Sequence, residues 1–237
     1  MRFRVQDEIF ERFPDMRIVV AVAHGIDNRV DRPEIETRWR EVWAGGKEHA
    51  VHGNAQSHPR VKPWRERFQS FGISAKKHPS SIEAVLRRAL KSDGDPFFIN
   101  PLVDFYNTVS LQHVVPAGAF DLDRIDDPLE LRLTRSGDIF HALDAEDAVA
   151  VEPDEMGYVA GATVLTRHIM WRQSREGLIT AETTSLILLS EVLGEFDTPD
   201  ARIADVVLDT FTTGLRRYFG VEALPFVVDP DQPEIAW

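Results

Sequence analysis

The 237-residue chain contains no cysteine. This absence excludes disulfide bonds, cysteine-ligated zinc and a thiol nucleophile. No apolar run approaches the roughly 20 residues that a membrane-spanning helix needs, and the N-terminal segment MRFRVQDEIFERFPD lacks the long apolar region of a signal peptide. The sequence therefore predicts a cytoplasmic protein with no membrane partner.

Motifs for nucleotide cofactors and for common hydrolases are also missing. The chain has no G-x-G-x-x-G, no P-loop and no G-x-S-x-G nucleophile elbow. His49 and His52, with Glu48 and His58 nearby, have a spacing that could present two imidazoles on one helical face. Such pairs are common by chance, however, and the Gly-Asn pair that follows indicates a helix end. The sequence therefore predicts neither a cofactor nor a metal site.

The composition and the order of apolar patterns predict the fold class. With 43% hydrophobic and 28% charged residues, the chain has the composition of a folded globular protein. Helical and strand-like patterns occur in blocks, which favours an α+β fold with mixed or antiparallel sheet layers packed with helices. The predicted elements are a strand over 16–23, a helix over 32–44 capped by Asp31, a helix begun by the capping box Ser80-x-x-Glu83, strands over 129–134, 139–143, 149–151 and 158–171, a helix over about 180–192, and a C-terminal helix opened by Thr198 and Pro199.

The sequence also suggests a division of the chain. We expect residues 1–55 to form an N-terminal extension of helix and strand that packs on the core. Residues 56–237 would then form the main α+β domain. The alternative is one continuous domain, since no stretch with the composition of a linker separates the two parts.

The stretch 97–125 contains the clearest functional signal. Asn100 can cap a helix, and Pro101 fits its first position, where the missing N–H is not needed. The helix is followed by Ala117, Gly118 and Ala119, which have almost no side-chain bulk. Backbone at such a turn can approach a ligand closely.

Charge is unevenly distributed along the chain. The formal net charge is −12, but residues 60–91 contain nine basic and two acidic residues and so carry +7. A local basic face on an acidic body can guide a polyanion, because distant charges are screened beyond ~10 Å. The alternative is a solvated pair of helices without a ligand. The candidates for contact with such a polyanion in this segment are Arg60, Lys62, Arg65, Arg67, Lys76 and Lys77.

Several segments together resemble a known module. HPSSIEAVLRRAL (78–90), NPLVDFYNTVSL (100–111), PAGAFDLDRI (116–125) and, more weakly, WRQSREGLITAETTSLILLSE (171–191) are similar to the editing module of phenylalanyl-tRNA synthetase β subunits, their third and fourth B domains. Specifically, the chain looks like freestanding proteins built from that module alone. The resemblance implies an α+β fold with a pocket that hydrolyses a wrong amino acid from tRNA.

The resemblance also implies a set of pocket residues. Those synthetases carry a threonine and a histidine where this chain has Tyr106 and Gly118, so hydrolysis and the identity of the amino acid do not follow from the resemblance. Asn107 and Glu176 are the candidates for a catalytic role. The expected pocket residues are Asn100, Tyr106, Asn107, Ala117, Gly118, Ala119, Arg172 and Thr183.

Two functions are compatible with these observations. In the first, the protein removes mischarged amino acids from tRNA in trans. In the second, the same pocket binds a free amino acid or another small molecule, or the protein binds RNA, without catalysis. The basic segment 60–91 distinguishes an RNA ligand from a small molecule, because an RNA ligand would use it and a small molecule need not.

Overall fold

The computed structural model describes residues 1–125, 128–194 and 202–237. In these ranges the strands form two sheets, and helices cover the smaller one, which confirms the α+β class. The large sheet has the order β12-β1-β4-β7-β8-β5-β6, with β9 paired to β8. Its strands are β1 (Arg2–Val5), β4 (Leu129–Leu133), β5 (Ile139–Phe140), β6 (Val149–Ala150), β7 (Met156–Ala160), β8 (Thr163–Arg167), β9 (Arg172–Gln173) and β12 (Glu234–Ala236).

The small sheet is antiparallel and has the order β11-β2-β10-β3. Its long central strands pair over nine residues, from Ser185 opposite His24 to Leu193 opposite Met16. The strand β3 lies at one edge of the sheet, where it pairs with β10 alone. The four strands are β2 (Met16–His24), β3 (Gly118–Asp121), β10 (Ser185–Leu193) and β11 (Leu224–Val228).

Helices α5 and α6 cover the outer face of the small sheet. The helix α5 begins as the sequence predicts, since the Asn100 side chain accepts a hydrogen bond from the Val103 N–H at 3.1 Å and Pro101 occupies the first turn. The α-helices are α1 (Asp7–Arg12), α2 (Pro33–Gly45), α3 (Lys62–Ser70), α4 (Ser81–Lys91), α5 (Pro101–His113) and α6 (Ile203–Gly214). Among the described residues, each helix is too short or too polar to cross a membrane.

The strand β2 shows how the layers are held together. Its residues Met16, Ile18, Val20 and Val22 face the large sheet and are buried in one apolar cluster. The alternate residues 19, 21 and 23 belong to a second cluster with α5 and α6. Because both faces are buried, the strand reads as a continuous apolar run rather than as an alternating pattern.

The first 55 residues contribute to both sheets. The strand β1 lies between β4 and β12, and β2 lies between β10 and β11. The helix α2 packs through Trp39 and Trp43 against α4 and α5 in a third cluster. The predicted boundary near residue 55 stays a prediction, and strands from both sides of it share each sheet.

Several predicted elements differ from the structure. The helix predicted over 180–192 is wrong, because this segment is the strand β10. The predicted cap Asp31 is also wrong, since Arg32 occupies the N-cap of α2 and offers no side-chain hydrogen bond. The strand predicted over 139–143 ends at Phe140. The C-terminal end is not only helical, because β11 and β12 follow α6. The predicted helix start at Thr198 and Pro199 lies outside the described residues.

Candidate functional site: a cavity between the two sheets

A cavity of about 120 Å³ lies between the sheets beside the edge strand β3. Residues 116–120 form one wall, with Leu189 and Glu191 of β10 behind them. The opposite wall comes from the large sheet, and the loop 169–171 and Ser81 at the start of α4 complete the enclosure. The side chains contributed by the large sheet are Tyr158, Thr166, Arg172 and Gln173.

The edge of β3 that faces away from β10 presents backbone groups to this region. The Asp121 N–H donates to the Gly177 carbonyl at 2.9 Å, and the Gln173 amide donates to the Ala119 carbonyl at 3.2 Å. Both groups point away from β10. Alternate residues of a strand direct their backbone groups to the same side, so the Ala119 N–H points to this edge as well. A backbone donor therefore faces the cavity side of β3.

Gly118 leaves room beside this edge. A Cβ built at Gly118 would have no atom within 4 Å, and its φ lies outside the left-handed region. The glycine is therefore not required by the backbone conformation. Its effect is to leave open space where a side chain would otherwise enter the cavity.

A buried acid and a phenol form the polar part of the cavity wall. The Tyr158 hydroxyl donates to Glu191 Oε1 at 2.5 Å, and the two residues are 2% and 4% exposed. Burial raises the pKa of Glu191, and the hydrogen bond from Tyr158 partly opposes this shift. Burial also raises the pKa of Tyr158, and the neighbouring carboxylate raises it further. In this low-dielectric site the Tyr158 hydroxyl is the hydrogen-bond donor and the Glu191 carboxylate is the acceptor.

The mouth of the cavity has a strained backbone. His168 and Ile169 have φ values of 46° and 62°, which residues other than glycine rarely adopt. The His168 N–H donates to the buried carboxylate of Glu155 at 3.1 Å, which helps to hold this conformation. The Met170 carbonyl accepts from the Ser81 N–H at 2.9 Å and fastens the loop to α4. Backbone strain of this kind concentrates at functional sites.

Two histidines pack beside Trp171 at this mouth. The His78 ring centroid lies 4.3 Å from Trp171 and 4.1 Å from His168. In the described part of the chain, the buried Nδ1 atoms of His78 and His168 have no hydrogen-bond partner. Burial lowers the pKa of His168 to about 4 and also lowers that of His78. Both imidazoles are therefore neutral at pH 7.

Four of the predicted pocket residues lie in the cavity wall: Ala117, Gly118, Ala119 and Arg172. The other four lie outside the lining of this cavity. Asn100 caps α5 and accepts a hydrogen bond from the Asn28 amide. Tyr106 and Asn107 are buried on α5, and the Thr183 hydroxyl donates to Asp121 at 2.6 Å. These four residues stabilise the elements around β3 and do not line the cavity.

The candidate Glu176 also lies outside the lining. It contacts His141, with 3.2 Å between Oε1 and Nδ1, and its side chain is 46% exposed. Sequence reasoning missed Tyr158 and Glu191. The detectable signal for Glu191 was a single acid at the end of the apolar run SLILLSEVL.

The predicted basic face is only partly exposed. The Arg65 guanidinium contacts both carboxylate oxygens of Glu83, at 2.7 and 2.9 Å, and Glu83 is 1% exposed. Arg67 pairs with Asp15 at 3.0 Å. Each of these two arginines therefore has a carboxylate partner, and their contact with tRNA stays a prediction.

The other predicted contact residues differ in exposure. The Arg60 side chain donates to the His113 carbonyl. Lys62 forms an exposed pair with Glu66 at 3.5 Å. Lys76 and Lys77 are exposed and directly precede His78 at the cavity mouth. Lys76 and Lys77 are therefore the best-placed cations for a polyanion that reaches the cavity.

Of three comparisons with known proteins, the one with family models identifies the family. One similar solved structure is an N-terminal fragment of the phenylalanyl-tRNA synthetase β subunit from Pyrococcus horikoshii, with a TM-score of 0.47 and 11% identity. The match covers 95% of this chain and 53% of that one, so the chain spans about half the length of the fragment. The comparison with curated proteins gives no match. The model of the B3/4 domain matches residues 63–198, more than half of the sequence, so the chain belongs to the B3/4 domain family.

Proposed function

We propose that the protein hydrolyses the ester bond of an aminoacyl-tRNA, with the aminoacyl group held in the cavity between the sheets. The observation that carries the proposal is the edge of β3 that faces away from β10, where small residues bring backbone groups to a cavity. The B3/4 domain family supports it, because the resembling synthetase module performs this reaction. The protein would act in trans on tRNA taken from solution.

The chemistry would depend on positioning rather than on a side-chain base. Among the described residues that line the cavity, the ionisable ones are Tyr158, Arg172 and Glu191. Tyr158 and Glu191 bond to each other, and Arg172 pairs with Asp144 at 2.6 Å. The Ala119 N–H could polarise the ester carbonyl, while a ribose hydroxyl of the substrate orients the attacking water.

Glu191 supplies a basis for recognising an amino acid. An aminoacyl ester carries an α-ammonium group, which a buried carboxylate attracts strongly. A bound ammonium would favour the ionised form of Glu191 and so offset the effect of burial on its pKa. Phe120, Ile169 and Leu189 in the wall favour an apolar side chain on the substrate.

The main test is a deacylation screen with a set of aminoacyl-tRNAs. We expect wild-type protein to accelerate release of at least one amino acid, and Glu191→Gln to reduce the rate while it still shows a cooperative melting transition at a temperature above that of the assay. Deacylation of none of the aminoacyl-tRNAs would contradict the enzymatic proposal. A rate unchanged in Glu191→Gln would contradict the role assigned to Glu191 alone.

A gel-retardation assay tests the RNA contact separately. We expect Lys76→Glu/Lys77→Glu to weaken tRNA binding, and wild-type binding to fall steeply with salt, as phosphate contacts require. The matched control is Lys47→Glu/Arg217→Glu, which changes the net charge equally at two exposed sites away from the mouth. Equal loss in both double variants would show that only overall charge matters.

The second candidate function is a non-catalytic pocket for a free amino acid. The pairing of Tyr158 with Glu191 favours it, because this pairing leaves neither group free as a base. Calorimetry with free amino acids tests this alternative. Saturable binding by a protein that deacylates no tRNA would support it over the enzymatic proposal.

A further inference from the structure

Three histidines cluster away from the cavity between the sheets. His49 and His52 lie on a short 3₁₀ helix, Gly46–His52, and His58 follows the next one, Ala55–Ser57. One ring nitrogen from each lies within 4.8 Å of the other two. The His58 ring centroid is 4.9 Å from that of His49 and 4.7 Å from that of His52. The three imidazoles thus surround one point.

The spacing of the nitrogens suits a tetrahedral metal ion. Zinc–nitrogen bonds of ~2.0–2.1 Å in a tetrahedron place the ligand nitrogens about 3.3 Å apart. The distance from His58 Nε2 to His49 Nδ1 is 3.2 Å. The widest separation of 4.8 Å would close by rotation of side chains on the 3₁₀ helix, which are less buried than His58.

The backbone around His58 is held in place without a metal. His58 is 5% exposed, and its carbonyl accepts from the N–H groups of Val61 and Lys62 at 2.9 Å each, at the start of α3. The Asn54 side chain accepts from the N–H groups of Gln56 and Ser57 and fixes the preceding turn. The backbone that carries one ligand is therefore positioned before any ion binds, which reduces the loss of conformational freedom on binding.

The segment that carries the other two ligands packs on α4. A Cβ at Gly46 would lie 2.9 Å from the Ala89 Cβ, so the first 3₁₀ helix lies directly against α4. Ala55 is buried in the cluster that joins α2, α4 and α5. An ion held by the three histidines would therefore link residues 46–58 to the start of α3 at a fixed place on the fold.

We propose that His49, His52 and His58 bind one divalent transition-metal ion of the zinc type, with water in the fourth position. Imidazole ligands suit Zn²⁺, Co²⁺ and Ni²⁺ and disfavour Mg²⁺ and Ca²⁺. Without metal, the His58 Nε2–H donates to His49 Nδ1, because His58 Nδ1 accepts from the Arg60 N–H at 3.2 Å. Binding at Nε2 moves this proton to Nδ1, and the contact with the Arg60 N–H is given up.

The test uses full-length protein without a histidine tag. Titration with Zn²⁺ in a calorimeter should give one ion per chain, and Co²⁺ should give the visible absorption of a four-coordinate site. His49→Ala and His52→Ala should each reduce the affinity by more than about 100-fold, since even the loss of an outer-shell partner commonly reduces it 10–100-fold. Saturating Zn²⁺ should raise the melting temperature of the wild-type protein but not that of either of these two variants.

The control is His24→Ala, which removes an exposed histidine outside the cluster. It should bind Zn²⁺ as the wild-type protein does. His52→Ala, which removes an exposed side chain, should keep the metal-free melting temperature, and this separates lost ligation from lost folding. Absence of stoichiometric binding in the wild-type protein, or equal loss in His24→Ala, would overturn the proposal.

Discussion

The hydroxyl of Tyr158 and the carboxylate of Glu191 join the two sheets across the cavity. Tyr158 lies on β7 of the large sheet and Glu191 on β10 of the small one, and their oxygens are 2.5 Å apart. Most contacts between the sheets are apolar, and apolar contacts have little orientational preference. The hydrogen bond between these two residues does have one, so it fixes how the sheets meet at this point. The cavity opens where this contact and the edge of β3 that faces away from β10 meet.

The first prediction concerns the stability that this contact provides. Tyr158→Phe removes the hydroxyl and leaves the buried Glu191 carboxylate without its donor, so the free energy of unfolding should fall by about 1–3 kcal/mol. Urea unfolding measures the change. Tyr218→Phe is the control, because Tyr218 is partly exposed on the helical side and should change stability little. Equal stability of Tyr158→Phe and wild type would mean that the pair contributes nothing to the fold.

The second prediction concerns the space beside Gly118. Gly118→Ala should fold and function as wild type, because the added Cβ meets no atom within 4 Å and φ is not positive. Gly118→Trp should place its ring system in the cavity and abolish deacylation or ligand binding by exclusion. Melting temperature and activity should be measured for both variants. Full activity in a folded Gly118→Trp variant would show that the substrate binds elsewhere.

The third prediction separates structural from surface arginines. Arg65→Gln leaves Glu83, which is 1% exposed, without its cation. Because breaking a buried pair strands a charge, we expect a loss of about 2–3 kcal/mol in the free energy of unfolding. The matched control on the same helix is Lys62→Gln, whose exposed pair with Glu66 should contribute less than ~1 kcal/mol. Similar losses in both variants would contradict the structural role of Arg65.

Sequence patterns predicted local elements better than contacts between them. The start of α5 was predictable because Asn100 and Pro101 act through backbone groups within the same turn. The strand β10 was not, because a strand buried on both faces reads as an apolar run that a helix could equally produce. The pairing of Tyr158 with Glu191 joins residues 33 positions apart, and nothing local in the sequence marks it. The pairing of Arg65 with Glu83 likewise joins residues 18 positions apart, and no local pattern marks it.

The histidine cluster illustrates the same limit. The H-x-x-H spacing of His49 and His52 is common by chance and does not indicate a third histidine. The third histidine lies after a second turn, and only the fold brings it within reach of the first two.

The last prediction is a pH dependence that arises from Asp104. Burial raises the pKa of Asp104 from its ordinary value of 3.8 to about 6; the hydrogen bond from the Ile99 N–H lowers it, and the charge of Glu36 raises it. Between these two pH values the folded state binds more protons than the unfolded state, so the free energy of unfolding falls as pH rises. The stability that protonated Asp104 gives to the folded state should be complete below about pH 4 and lost above about pH 6.

Asp104→Asn isolates this contribution, because its amide oxygen can still accept from the Ile99 N–H at the start of α5 but does not titrate. The stability of Asp104→Asn relative to wild type should therefore increase between pH 4 and pH 7. A shift of about two pKa units limits the increase to about 3 kcal/mol. Chemical unfolding at several pH values in constant salt measures the difference between the two proteins. A difference that is flat over this range would mean that Asp104 ionises as easily in the folded protein as in the unfolded chain.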